Sequence, residues 1–281
     1  MPLLARCCAA VIPSLFLSSL VATGETIHVD PRGNDQHRGT AQSPVASFER
    51  ALELTRQTSG PDEIHLAANG RIQLHAQVQL DVRDQGLRVV SEGNAILSGG
   101  LPVVDWRVAD DGTWRADCPT ETRPRELFVD GRRATPARWP NHGWLRIVAS
   151  LPDRRSGFTF EAGDIPADLR ADETLELVFL HDWSVSRIPV ASIDRQKNVL
   201  RTAFPIGSYA PHYAIDHFEK NPRYALESSP QLLDAPGEWA YANGEIRYRP
   251  HPGETPDAVQ VIVPSLPSLL TINGSPQEPV A

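Results

Sequence analysis

The chain has 281 residues, 41% hydrophobic and 22% charged, with 27 Lys and Arg against 35 Asp and Glu for a net charge of −8. That composition argues against a disordered chain, and its scattered cations argue against nucleic acid or an anionic membrane surface as the main partner. The charge also disfavours a polyanionic ligand, although a local basic cleft would override it.

Residues 1–24 read as a signal peptide. Arg6 supplies the positive start, Ala9 to Val21 is an apolar stretch too short and interrupted to span a bilayer, and Ala22-Thr23-Gly24 offers small residues for cleavage near Gly24. The expected location is secreted or periplasmic, with no membrane association after signal removal. Cys7 and Cys8 fall inside this segment, so the mature chain keeps only Cys118 and no intramolecular disulfide. Cys118 is expected to be a small, partly buried core residue.

Glu25 to Asp30 alternates as a strand, Pro31 to Thr40 is a turn-rich loop, and Ser43 to Ser59 is the predicted helix. Ser47 caps it, Phe48, Ala51, Leu52 and Thr55 share one face, and Gly60-Pro61 ends it. Short strands follow at Glu63–Ala67, Arg71–Leu74, Val78–Leu80, Leu87–Val90 and Ala95–Leu97. Ile64 and Leu87 open comparable strands 23 residues apart, a solenoid-like spacing. Such coils need stacked neighbours, and the helix would cover one end of the stack.

From 101 to about 258 that period is lost. Val129-Asp130-Gly131-Arg132 and Tyr241-Ala242-Asn243-Gly244-Glu245-Ile246 are hairpin signals. All six tryptophans lie between Trp106 and Trp239. The expected organisation is a signal peptide (1–24), a capping helix with first coils (25–100), an inserted antiparallel β-domain (101–258), and a resumed coil with a proline-containing tail (259–281). Because the chain ends as the solenoid resumes, it is expected to be truncated.

The stretch HVDPRGNDQHRGTAQSPVASFERAL is similar to the opening of secreted right-handed parallel β-helix proteins of the pectate-lyase-like superfamily, on Gly33, Asp35, Gly39, Thr40, Ser43 and Pro44. SEGNAILSGGLPVVDWRV, ELFVDGRRATPARWPNHG and LLDAPGEWAYANGEIRYRPHPGE follow in an order that resembles glycoside hydrolase family 141, from about residue 26 to 274. The sequence departs from that pattern at Asn69-Gly70-Arg71, where related proteins show a G-T-Y-like corner. The resemblance implies an all-β fold, the start of a right-handed parallel β-helix interrupted by an antiparallel β-sandwich-like domain. It also implies a hydrolase acting on fucose- or xylose-containing plant glycans. In that family the catalytic carboxylates sit on later coils, and no residue here matches them, so no catalytic residue is assigned.

The residues alone offer weaker leads, each with a plainer alternative. Asp35 is either a metal ligand or, as favoured, a turn residue. Asp216 with Glu219 and Glu173 with Glu176 are carboxylate pairs of the kind glycoside hydrolysis requires, but they read as solvated surface. Arg138, Trp139 and His142, and likewise His181 and Trp183, combine a stacking ring with hydrogen-bonding groups suited to a sugar; the alternative is that they pack the inserted domain. His212, Asp216 and His217 lie in the Tyr209–Phe218 loop and form the nearest approach to a ligand group. No metal or cofactor is expected, and the expected partner is a polysaccharide or oligosaccharide. Two further classes stay open: a glycan-binding module without chemistry, and a polysaccharide lyase on the same fold, which would want Ca²⁺.

Overall fold

A computed structural model describes residues 24–58, 62–181, 184–207, 214–217 and 219–277. Cys7, Cys8, the rest of the leader before Gly24, the Gly60-Pro61 stop, Asp182, Trp183 and His212 lie outside the described residues. The described chain is mostly β, with one α-helix, several sheets and none of them closed. It divides into two compact units, Met1–Ser98 with Leu269–Ala281, and Gly99–Ser268.

The first unit is built on parallel pairing. Thr26–Val29, Glu63–Leu66 and Arg88–Ser91 lie side by side, with Ile27 opposite Ile64 and Ile64 opposite Val89. The repeat between the second and third strands is therefore 25 residues (Glu63 to Arg88), two longer than the spacing read from Ile64 and Leu87. Arg71–Gln73 pairs with Ile96–Ser98 at the same 25-residue offset (Arg71 to Ile96). Ile27, Val29, Ile64, Leu66 and Ile72 are buried on the inward face. On the next rung Val89, in register with Ile64, is 42% exposed, and Ile96, in register with Arg71 on the other face, is 46% exposed.

The helix runs over Phe48–Thr55, shorter than the predicted 43–59. Its start is delayed because Val45 is held extended against the first strand. Val45 N–H donates to His28 O at 3.0 Å, and Asp30 N–H donates to Val45 O at 2.9 Å. Ser47 caps the helix by accepting from Arg50 N–H, and Phe48, Ala51, Leu52 and Thr55 form its buried face. Gly33 lies where a Cβ would come within 2.6 Å of the carbonyl oxygens of Pro44 and Val45, so only glycine fits this crossing.

Asp35 anchors the same corner. Its carboxylate accepts from the amides of Ala46 (2.8 Å) and Ser47 (2.9 Å) and from the Ser47 hydroxyl (2.8 Å). These are turn and cap contacts, the favoured reading for this residue. Burial pushes the Asp35 carboxyl up, but these hydrogen bonds outweigh it and leave it below the ordinary aspartate value.

Among the described residues, the second unit is antiparallel apart from one short parallel pairing of Thr135–Pro136 with Glu238–Ala242. Both predicted hairpins form. Asp130-Gly131 turns Phe128–Val129 into Arg132–Arg133, and Asn243-Gly244 turns Glu238–Ala242 into Glu245–Tyr248, with positive φ at all four turn residues. Val261–Pro264 belongs to this unit, antiparallel between Phe128–Val129 and Gly100–Pro102. Leu270–Ile272, in the first unit, joins Val78–Leu80 in parallel. The aromatic-rich sequence splits between two cores. Trp114 packs edge-on to Tyr248 (5.5 Å) in one, and Phe158 sits between Phe179 (5.6 Å) and Tyr224 (4.8 Å) in the other. Cys118 is half-buried, 3.2 Å from the Thr120 hydroxyl.

Asp35→Ala removes three acceptor bonds at once and is expected to cost about 2 kcal/mol of stability, with Asp35→Asn recovering part. Urea denaturation of both variants measures it, and an Asp35→Ala variant as stable as the parent would dismiss the anchor.

Candidate functional site

The largest sheet of the second unit runs, in spatial order, through Arg138–Trp139, Arg223–Glu227, Glu176–Leu180 and Val185–Asp194 before its remaining strands. Side chains alternate across it. Leu177, Phe179, Tyr224 and Leu226 enter the core, while Glu176, Glu227, Arg138 and Arg187 project from the other face. The register sets Glu176 directly opposite Glu227, and Glu227 directly opposite Arg138. Facing residues on antiparallel strands have Cα atoms about 5 Å apart, so two carboxylates share one small patch.

Both are buried, Glu176 at 4% and Glu227 at 7% exposure. The carboxylate of Glu176 receives Arg125 at 2.8 Å, Arg123 at 3.2 Å and the Ser228 hydroxyl at 2.9 Å. Glu227 is approached by Arg187 at 3.3 Å and Arg138 at 3.7 Å. Four guanidiniums thus offset two like charges that would repel in a low-dielectric site. This corrects the reading of Glu176 as solvated surface paired with Glu173: Glu173 is exposed, and the partner of Glu176 comes from a strand some fifty positions away. A glycosidic acid or nucleophile must touch the scissile bond. Glu176 and Glu227 are instead occupied by arginines, and their role is to hold strands together.

Asp172 braces the same place. It accepts from the Thr174 amide and hydroxyl, the Leu175 amide, the Ser229 hydroxyl and the Gln231 amide group, at 2.6 to 2.8 Å. It thereby ties the residues before Glu176 to those after Glu227. Glu238 is a third buried carboxyl, accepting from the Arg138, Asp234 and Ala235 amides. Burial, helped by nearby Asp234, pushes it above the ordinary glutamate value despite those bonds.

A cleft of about 430 Å³ opens beside Glu176, lined by Arg123, Arg125, Arg133, Arg187 and Tyr241 among others. The candidate sugar contacts are dispersed around this sheet. Arg138 contributes a half-buried side chain that reaches Glu227 and lies 5.2 Å over the ring of Trp144. Trp139 packs against the core, and its indole N–H donates to Asp164 O at 2.6 Å. His142 is exposed. His181 is half-buried with its Nε2 2.8 Å from the Ser186 hydroxyl. Trp183 lies outside the described residues. Asp216 is held by Ser150 and Arg154, and Glu219 by Arg146 and Arg223, so that pair is engaged as well. Among the described residues, no group of three or more His, Cys, Asp or Glu is placed to hold a metal ion, and no helix is long and apolar enough to cross a membrane.

Sequence reasoning missed Glu227, Asp172 and the exposed Trp144. A signal for the first existed, since Glu227 directly follows the apolar run Tyr224-Ala225-Leu226 and a carboxylate carried into an apolar strand demands a partner.

No family model matches the chain, and no curated protein matches it. Among solved structures, one described as a glycoside hydrolase superposes with a TM-score of 0.77 at 25% identity, over 92% of this chain and 49% of that one. The chain spans about half the length of that structure. Another, described as the complex structure of XylC with xylose, gives a TM-score of 0.36 at 11% identity, over 89% of this chain and 34% of that one, and is too remote to bear on the fold.

Glu176→Ala leaves Arg123 and Arg125 without their carboxylate and is expected to cost about 3 kcal/mol, visible as a lowered thermal midpoint. For Asp172, burial raises the carboxyl, but the hydrogen bonds from Ser229, Thr174 and Gln231 outweigh it and hold it below 3.8. Its contribution is therefore complete above 3.8 and disappears as pH falls through the lower folded value. Stability measured from pH 6 down to about 2 should fall less steeply in Asp172→Asn than in the parent; identical profiles would refute this.

Proposed function

We propose that the chain is the N-terminal part of a secreted or periplasmic carbohydrate-active protein on a right-handed parallel β-helix. On this reading it is a glycoside hydrolase acting on fucose- or xylose-containing plant-type glycans, with its catalytic carboxylates on coils beyond this chain. The observation that carries the reading is the superposition of 92% of the chain on a glycoside hydrolase of which it spans 49%. Two features support it. The parallel ladders repeat every 25 residues (Glu63 to Arg88, Arg71 to Ile96), and Val89, in register with buried Ile64, is 42% exposed, apolar surface of the kind a stacked coil covers. The arginine-bound state of Glu176 and Glu227 supports assigning hydrolysis elsewhere. The sugar contacts on this reading are Arg138, His142, His181 and Trp183, with Trp139 packed against the core.

Calorimetric titration and hydrolysis assays of the purified chain, against fucosylated and xylan-derived oligosaccharides, test this. Saturable binding without turnover is expected. Robust turnover would overturn the assignment of catalysis to other coils, and no binding across the panel would overturn the carbohydrate reading.

A further inference from the structure

The cleft beside Glu176 carries charge of the opposite sign to the chain as a whole. Arg123, Arg125, Arg133 and Arg187 line it against Glu126 and Glu176, a surplus of two positive charges in a protein of net charge −8. Three of these arginines face outward. The side chains of Arg125, Arg133 and Arg187 are 71%, 66% and 48% exposed. Each is tethered from the protein side by one carboxylate: Arg125 to Glu176 at 2.8 Å, Arg133 to Glu126 at 3.1 Å, and Arg187 to Glu227 at 3.3 Å. A guanidinium has five N–H donors in a rigid fork, so a single tether orients the group and leaves donors for an anion. Because the tethers of Arg125 and Arg187 are buried carboxylates fixed by strand register, these two cations are held in place before any ligand arrives. Tyr241, half-buried in the same lining, adds an aromatic surface of the kind that packs against a pyranose ring.

We propose that this cleft binds an anionic saccharide, its carboxylate or sulfate group received by Arg125, Arg133 and Arg187 and its ring set against Tyr241. The sugar rests on the carbohydrate reading given above; the charge preference rests on the arginines alone. The cleft binds and does not cleave, because both carboxylates in its lining are taken up by arginines, Glu176 by Arg123 and Arg125 and Glu126 by Arg133.

Calorimetry on the full chain with four probes tests this: trigalacturonate, a sulfated galactotriose, neutral galactotriose, and citrate as an anion without a sugar. The acidic trisaccharides should bind at least about tenfold more tightly than the neutral one, with affinity falling as salt is raised. The tighter of the two identifies carboxylate or sulfate as the group received. Arg133→Gln should weaken that binding about tenfold while leaving the thermal midpoint near the parent's, and Arg125→Gln should weaken it as much while lowering the midpoint. If loss of the Glu176 tether unfolds Arg125→Gln, Arg133→Gln carries the test, since its partner Glu126 is itself exposed. Neutral galactotriose binding as tightly, with the variants unaffected, overturns the charge preference and leaves the carbohydrate reading standing. Citrate binding as tightly as the acidic sugars, with arginine dependence, overturns the sugar. Failure of all four probes to bind overturns the site.

Discussion

Strand register places Glu176 and Glu227 face to face on a buried patch of the second unit, and the surrounding structure answers that repulsion. Arg123 and Arg125 come from the segment before the first hairpin, Arg138 from the neighbouring strand, and Arg187 from the strand on the far side. Each segment that supplies a cation is thereby pinned to the sheet. The cost of burying carboxylates is offset only while all these partners are in place, so one electrostatic requirement couples pieces of chain far apart in sequence. Asp172, bonded to Thr174 on one side and to Ser229 and Gln231 on the other, closes the clamp without adding a cation.

The same arrangement explains why carboxylates and chemistry part company here. Two acids at the spacing of facing strands would suit a glycosidase if one were free to approach substrate. Tied to guanidiniums, they shape a cleft whose outer surface is positive. Four cations meet that buried pair, and three of them, Arg123, Arg125 and Arg187, line the cleft.

In the first unit the governing constraint is steric and hydrogen-bonding. The chain crosses itself at Gly33, where the carbonyls of Pro44 and Val45 leave no room for a Cβ, and Asp35 collects the amides that the crossing exposes. That corner sets the helix over the parallel ladder, and the ladder then repeats. Val89 continues the row of Ile27 and Ile64 on the third strand but is 42% exposed where those two are buried.

Local features were legible from the sequence because local physics decides them. Asn243-Gly244 and Asp130-Gly131 make tight hairpins whatever surrounds them, Ser47 caps a helix through its own third-following amide, and Phe48, Ala51, Leu52 and Thr55 follow the helical period. The helix was nevertheless overextended at its start, since Val45 takes its hydrogen bonds from a strand that periodicity cannot see. The repeat came out two residues short because register is chosen by pairing and not by the first apolar residue of each run. Around the cleft little was readable. Glu176 among charged neighbours looks solvated until the strand ending at Glu227 is laid beside it, and Val261–Pro264 looks like a returning coil until it pairs with Phe128–Val129. Sequence alone determined turns, caps and the alternation of strand faces, whose interactions lie within a few residues. Only the tertiary structure decided which charges meet and which apolar rung stays exposed, because those depend on contacts between segments the chain keeps far apart.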